Sequence, residues 1–283
     1  MVQNRLHTQG AFTVLLLTAL AIILFDTGAA NGQVTLGARA IGIGQATTAL
    51  PDNSWSVFEN PAMISDQQRT VSFFGIRYFG LSELTDVAAV VAYPTSIGVI
   101  GGGAHRFGDD LFNQNRIRLT YKNSFQNFHY GAAINYNHVV QGGGHGSFGA
   151  FGIDAGLAAV ITDDLWIGAK ATNLNQAQYG EINNIVEELP RNLSIGFSYK
   201  LSGVALFTTD VIKDVSFPVS YRGGVEINVV ENLKARAGIT TEPQTFSGGF
   251  GYNTEQWGVN IVVQRHEEEA LGFSPGLDFN ISW

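Results

Sequence analysis

From residue 70 to the end of the chain, apolar and polar positions alternate with a period of two, not with the 3.6-residue period of a helix. Leu193, Ile195, Phe197, Tyr199 and Leu201 interleave with Ser194, Gly196, Ser198, Lys200 and Ser202. Val225, Ile227 and Val229 interleave with Glu226 and Asn228, and Leu233, Ala235 and Ala237 with Lys234 and Arg236. Each segment has one apolar face and one face of Gly, Ser, Asn or charge. The pattern predicts about fourteen strands, or twelve if the weakly alternating first and ninth drop out. They span 70–78, 85–93, 96–106, 115–122, 127–139, 149–161, 164–174, 192–201, 203–212, 218–230, 232–241, 245–253, 256–265 and 274–283. Many have the nine to eleven residues with which a tilted strand crosses a bilayer.

The spaces between strands divide into two classes. Those after the second, sixth, eighth, tenth and twelfth strands are short. Those at 107–115, 140–148, 175–191, 213–217 and 266–273 are longer. Short turns on one rim and long loops on the other are characteristic of outer-membrane barrels, and an even strand count sets both termini on the short-turn rim. Tyr121, Trp166, Tyr199, Tyr252, Trp257, Phe273 and Trp283 lie beside turns, as an interfacial girdle requires. The last strand sets Leu277, Phe279, Ile281 and Trp283 on one face and ends the chain on an aromatic, which fits a barrel insertion signal read by the barrel assembly machinery. That strand must pair with the first, near 71–78, to close the sheet.

The chain carries 34 glycines, 11% aromatic and only 14% charged residues among 283, too Gly-rich for a helical protein and too aromatic for disorder. The net charge of −8 leaves no basic footprint for nucleic acid. With no cysteine, disulfides, thiolate metal sites and lipoprotein acylation are excluded. Residues 1–30 read as a signal peptide, with Arg5 and His7, an apolar core from Ala11 to Phe25, and cleavage after Ala30. The expected organisation is a signal peptide (1–30), an N-terminal segment (31–69) and an all-β transmembrane antiparallel barrel (70–283) in the outer membrane of a Gram-negative bacterium, in contact with its lipid. A soluble periplasmic sandwich is the rival fold.

Residues 31–69 do not alternate. Gly37, Ala38, Arg39, Ala40, Gly42, Gly44 and Ala46, then Asp52, then Asn60, Pro61 and Ala62, follow a pattern that resembles the N-terminal signature of PorV/PorQ and FadL-like outer-membrane proteins. Asn53 and Met63 depart from it. The stretches 151–157, 165–174 and 189–196 are similar to the family as well. The resemblance implies a fourteen-stranded barrel whose N-terminal segment folds into the lumen as a plug, with Gly37, Arg39, Gly42, Gly44, Asp52, Asn60 and Pro61 as its structural motif. Arg39 and Asp52 can pair with lumen charges, and Asn60-Pro61 is placed to turn the chain toward the first strand. Trp55, Val57, Phe58 and Ile64 argue against a disordered leader.

No catalytic, metal or cofactor site is expected. Gly42-x-Gly44 lacks the third glycine of a dinucleotide loop. His145-Gly-Ser147 lacks the strand-to-helix context of a nucleophile elbow. His105, His129, His138 and His145 are expected near one rim without metal-ligand spacing, and Glu267 to Glu269 as a solvated acidic loop. Inward-facing Lys170, Lys200, Arg222, Glu226, Lys234 and Arg236 are expected to form ion pairs around the plug. Two non-enzymatic functions follow from the resemblance. One is transport of a small hydrophobic molecule across the outer membrane. The other is a non-transporting partner barrel, a shuttle or docking component of a type IX-like secretion system that holds secreted cargo proteins.

Overall fold

The computed structural model describes residues 35–142, 146–182 and 185–283; the signal-peptide assignment and His145 lie outside them. Fourteen antiparallel strands close into one barrel: β1 (Thr70–Arg77), β2 (Thr85–Thr95), β3 (Gly98–Gly108), β4 (Phe112–Phe125), β5 (Phe128–Gln141), β6 (Gly146–Thr162), β7 (Leu165–Ala171), β10 (Asn192–Leu201), β11 (Ala205–Asp214), β12 (Val219–Val230), β13 (Leu233–Thr241), β14 (Gln244–Asn253), β15 (Trp257–His266) and β16 (Phe273–Ser282). The remaining two, β8 (Gln178–Ile182) and β9 (Ile185–Glu188), form a hairpin in the loop between β7 and β10. The weakly alternating segments both belong to the wall. β1 pairs with β16 from Thr70↔Ser282 to Ile76↔Gly276, so the chain closes on its own last strand. The segment read at 203–212 is β11, paired along its length with β10 and β12.

Closure satisfies the backbone within the sheet, and alternation then sorts the side chains. Ile117, Leu119, Ile134, Phe151, Ile195 and Phe197 face outward and are exposed. Arg118, Lys122, Asp154, Lys170, Asp210, Glu226, Arg236 and Asp278 face inward and are buried. An apolar exterior with charge inside reverses the arrangement of a soluble protein and suits a wall wrapped in lipid. Leu277, Phe279, Ile281 and Trp283 all lie on the outward face, while Asp278 of the same strand points into the lumen with 3% exposure.

Four local expectations change. The 107–115 and 140–148 connections are shorter than their composition suggested, because β3 runs to Gly108, β4 starts at Phe112, β5 runs to Gln141 and β6 starts at Gly146. Polar strand ends at a rim keep their ladder bonds while meeting water, so polarity there does not mark the end of a strand. Trp166 does not join the outer girdle. It faces inward at half-burial, packs with Ala62, Met63 and Ala158, and its ring lies 5.1 Å from that of His129. His129 opens β5 just after the two-residue turn Gln126–Asn127, on the opposite rim from His105 and His138. Asn60-Pro61 is no turn into the wall, since β1 starts only at Thr70.

Leu277→Arg sets a cation against lipid in the middle of β16 and is expected to lower the folding free energy by about 2–4 kcal/mol. Urea unfolding in lipid vesicles reads the change, and an unmoved midpoint would take Leu277 off the lipid face.

Candidate functional site

The lumen is lined with polar groups that need partners, and residues 35–66 supply them. A short helix, α1 (Ala38–Gly42), follows Gly37, whose positive φ of 98° and missing side chain leave room for the Trp55 indole; a Cβ there would stand 2.3 Å from Trp55 Cδ1. The N–H groups of Ala38 and Arg39 donate to Asp278 Oδ2 at 2.8 and 3.4 Å. Arg39 grips both carboxylate oxygens of Glu226, Nε to Oε2 at 2.9 Å and a terminal nitrogen to Oε1 at 3.1 Å. Its other terminal nitrogen donates to the carbonyls of Pro51 and Asp52. Glu226 also receives Arg236 at 2.7 Å and Lys234 at 3.3 Å. Arg236 continues through Asn260 to Asp278, which closes a ring of bonds around α1. A bidentate guanidinium–carboxylate pair is among the strongest contacts available where water is excluded.

The segment then passes along the inside of the wall. Asp210 of β11 accepts from the Thr47 and Thr48 N–H groups and the Thr48 hydroxyl, all within 2.9 Å. Ser198 and Thr208 donate to the carbonyls of Ala49 and Ala46. Glu59 accepts from Lys170 Nζ at 3.2 Å and from Thr47. Asn60, fully buried, donates to the Thr48 carbonyl at 2.6 Å and caps the following turn through Ala62 N. On the far side Thr120 donates to the Val57 carbonyl, and Lys122 to the Ile64 carbonyl and the Asp66 carboxylate.

Backbone approaches backbone closely at several places. A Cβ on Gly238 would fall 1.8 Å from Gly44 N, one on Gly224 2.2 Å from the Ile43 carbonyl, and one on Gly168 2.2 Å from the Thr48 carbonyl. Gly44 has a positive φ of 68° and itself abuts the Gly223 carbonyl, while Gly42 rests on Arg236 and Val262. Pro61 lies over Gly131, and Asn60 and Pro61 over Gly156.

Of the motif residues read from the sequence, Gly37, Arg39, Gly42, Gly44, Asn60 and Pro61 are all seated against the wall or the rest of the segment. Asp52 differs. Its backbone carbonyl serves Arg39, but its carboxylate is half exposed and only 3.7 Å from Lys200. Among the inward cations, Arg222 makes hydrogen bonds to Thr35 and the Gln45 carbonyl in place of the expected ion pair. Sequence reasoning missed Glu59, Asp210 and Asp278, although each is an acid at a lumen-side position or in the non-alternating segment. It also missed the pair between Arg118 and Asp154, which Asn135 completes by bonding to both.

On the long-loop rim the segment leaves a cavity of about 90 Å³ between β3, β4, β5, β6 and the β7–β10 connection. Its lining is rich in amides and includes Arg116, Asp154 and His105. His105 Nε2 is 2.5 Å from Asp86 Oδ1. The Arg116 guanidinium carbon stands 4.7 Å from the centre of the Phe58 ring, so Phe58 of the N-terminal segment lies behind two of the lining residues, Arg116 and His105. The wall beside it is unusual: β7 stops at Ala171, and β6 pairs with it only from Ala155 onward. Above that point the Asn175 side chain takes the place of a strand, accepting from Ile153 N and donating to the Phe151 carbonyl at 2.8 Å each.

The geometry has close counterparts among solved structures. The P. putida toluene transporter TodX superposes with a TM-score of 0.61 at 10% identity, over 90% of this chain and 99% of that one. A Pseudomonas aeruginosa FadL homologue gives 0.55 at 14% identity, over 90% and 99%. The Acinetobacter baumannii outer membrane protein Omp33 gives 0.50 at 10% identity, over 77% and 100%. The chain has the fold of a bacterial outer-membrane barrel. No family model and no curated protein matches the sequence. The apolar exterior agrees with an outer-membrane location, and these counterparts do not bear on PorV or PorQ.

Glu226→Gln strands Arg39 and Arg236 without a full counter-charge and is expected to cost about 3–5 kcal/mol of stability. Denaturant unfolding measures it, and adding Arg39→Gln should cost less than the two single changes together. Gly238→Val is expected to displace the 43–44 backbone and raise protease cleavage within 35–66. Unchanged cleavage would mean the two backbones are not in contact.

Proposed function

We propose that this barrel carries a small molecule across the outer membrane through its lumen, with residues 31–69 as a plug that has to shift for passage. The observation that carries the reading is the outer-rim cavity, two of whose lining residues, Arg116 and His105, rest on Phe58 of the plug. A solute entering from outside therefore meets side chains that bear directly on the element blocking its path. Ion pairs and hydrogen bonds hold the plug together with an apolar cluster of Ile41, Trp55, Val57, Phe58 and Ile64 against β1 to β3 and β15, and the polar bonds can be exchanged for bonds to water or solute during movement. The likeness to TodX, described as a toluene transporter, supports transport as the class. A hydrophobic cargo fits that description, but the amides and charges around the cavity favour a polar one. The outward-facing Leu277, Phe279, Ile281 and Trp283 of the last strand would serve as the insertion signal for the assembly machinery.

A second reading draws on the closure of the lumen. Every wall strand is paired, and ion pairs join the N-terminal segment to both halves of the barrel. A sealed barrel suits a non-transporting partner of a type IX-like secretion system, presenting its outer rim to cargo proteins.

A reversible lock separates the readings. The chain has no cysteine, and the Ala46 carbonyl is bonded to the Thr208 hydroxyl, so Ala46→Cys with Thr208→Cys can tie plug to wall. In proteoliposomes the reduced double variant is expected to pass small labelled solutes and the oxidised one to stop. Flux through the oxidised protein would overturn the moving plug. Absence of flux in both states and in the unmodified protein would overturn transport and leave the partner barrel.

A further inference from the structure

Most inward cations of this barrel face an acid; among the described residues Arg222 has only hydrogen bonds, and Arg116 has neither. Glu226 serves Arg39, Lys234 and Arg236; Glu59 serves Lys170; Asp66 serves Lys122; Asp154 serves Arg118. Arg116 of β4, one inward position from Arg118, has no carboxylate within 4 Å and makes no hydrogen bond among the described residues. Its Nε is shut off from solvent and lacks a partner among the described residues, and its guanidinium lies over the face of Phe58. An unpaired guanidinium with a desolvated donor is costly for the protein alone, and an arriving oxyanion would repay that cost.

The rest of the cavity narrows the ligand. Asn135 is spent on Arg118 and Asp154. Asn137 and Gln114, which also line the cavity, have no side-chain hydrogen bond among the described residues and offer one amide each; an amide both donates and accepts, as a hydroxyl does. Asp154 stands on the cavity wall and would repel a second negative charge.

We infer that Arg116, Asn137 and Gln114 form a binding site for a small hydroxylated monocarboxylate at the outer rim, where Arg116 rests on Phe58 of the N-terminal segment. The carboxylate takes the guanidinium and the hydroxyls take the amides. The inference rests on the transport reading for its purpose, since it names the substrate class, but not for its test. Equilibrium binding in detergent requires no passage through the lumen.

The probes are D-gluconate, its neutral counterpart sorbitol, the apolar carboxylate hexanoate, and inorganic phosphate. Calorimetry on the full chain is expected to rank gluconate above the other three. Arg116→Gln should weaken gluconate roughly tenfold or more, the loss of one charge-assisted contact, and leave sorbitol unchanged. Arg116→Lys should keep part of the affinity. Heat-modifiable gel mobility checks that each variant is folded. Should Arg116→Gln fail that check, Asn137→Leu serves instead and should erase the preference for gluconate over hexanoate. Gluconate bound no better than sorbitol, hexanoate bound more tightly than gluconate, or affinity untouched by the variants would each overturn the site. Such a failure leaves the moving plug standing, because the cysteine lock reads flux alone.

Discussion

A carboxylate facing the inside of a lipid-wrapped sheet has to be neutralised by whatever shares the lumen with it, and Glu226 sets the terms for this one. Buried at 3% exposure, it is met by Arg236 and Lys234 from the neighbouring strand and by Arg39 from the N-terminal segment. Two of those cations come with the wall, while the third can be present only if residues 35–66 lie inside. Asp278 and Asp210 repeat the arrangement, accepting backbone N–H groups of the segment rather than side-chain cations. An emptied lumen would leave these acids and the cations around them without partners at a cost of several kcal/mol each unless water replaced them. Wall and segment are therefore one polar structure, and the ladder of the barrel is only half of it.

Polar complementarity alone would not bring the segment close enough. Main chain meets main chain where the wall presents Gly168, Gly224 and Gly238 and the segment presents Thr48, Ile43 and Gly44. The glycine content of the chain thus has a structural use, because each of these inward positions is occupied by a neighbour's backbone rather than by a side chain. The same positions explain why several strands read as alternating yet carry almost nothing on one face. Their inner face is filled by another part of the protein.

The wall was legible in the sequence because a bilayer enforces strict alternation, and pairing in register then leaves little freedom. Leu193 to Lys200 needed no structure to be sorted into outward and inward sets. Elements beyond the bilayer were harder. The rim ends of β3 to β6 are polar and resemble loops, while the β8–β9 hairpin sits in a connection with no partner strand in the wall. Trp166 was misplaced because an aromatic beside a turn fits both a lipid interface and a plugged lumen; its parity with Lys170 was the available signal. Arg39 was legible from its motif, but its partner was not, since sequence separation hides which inward acid lies opposite. Arg116 was invisible for the same reason. A cation on an inward face reads identically whether or not an acid stands across from it, and only the register of four strands shows that Asp154 goes to Arg118.

The bonds between segment and wall are unevenly distributed, and this bears on how a lumen so well filled could open. Around β11 to β16 the segment is held by Glu226, Asp278 and Asp210, each with several donors. Toward β1 to β6 it is held instead by apolar packing of Trp55, Val57, Phe58 and Ile64 and by Thr120, Lys122 and Lys170, and the Phe58 ring also meets Arg116 and His105. A cation over an aromatic face contributes about 0.5–2 kcal/mol, less than a buried bidentate ion pair. It is also the contact that an anion beside Arg116 would alter, by drawing the guanidinium toward itself. The carboxylates of one side and the apolar cluster of the other thus hold the segment by different means, and Phe58, on the apolar side, is the residue that lies behind the proposed ligand site. On the proposed reading, a displacement of Phe58 by a ligand at Arg116 leaves the Glu226 ring intact.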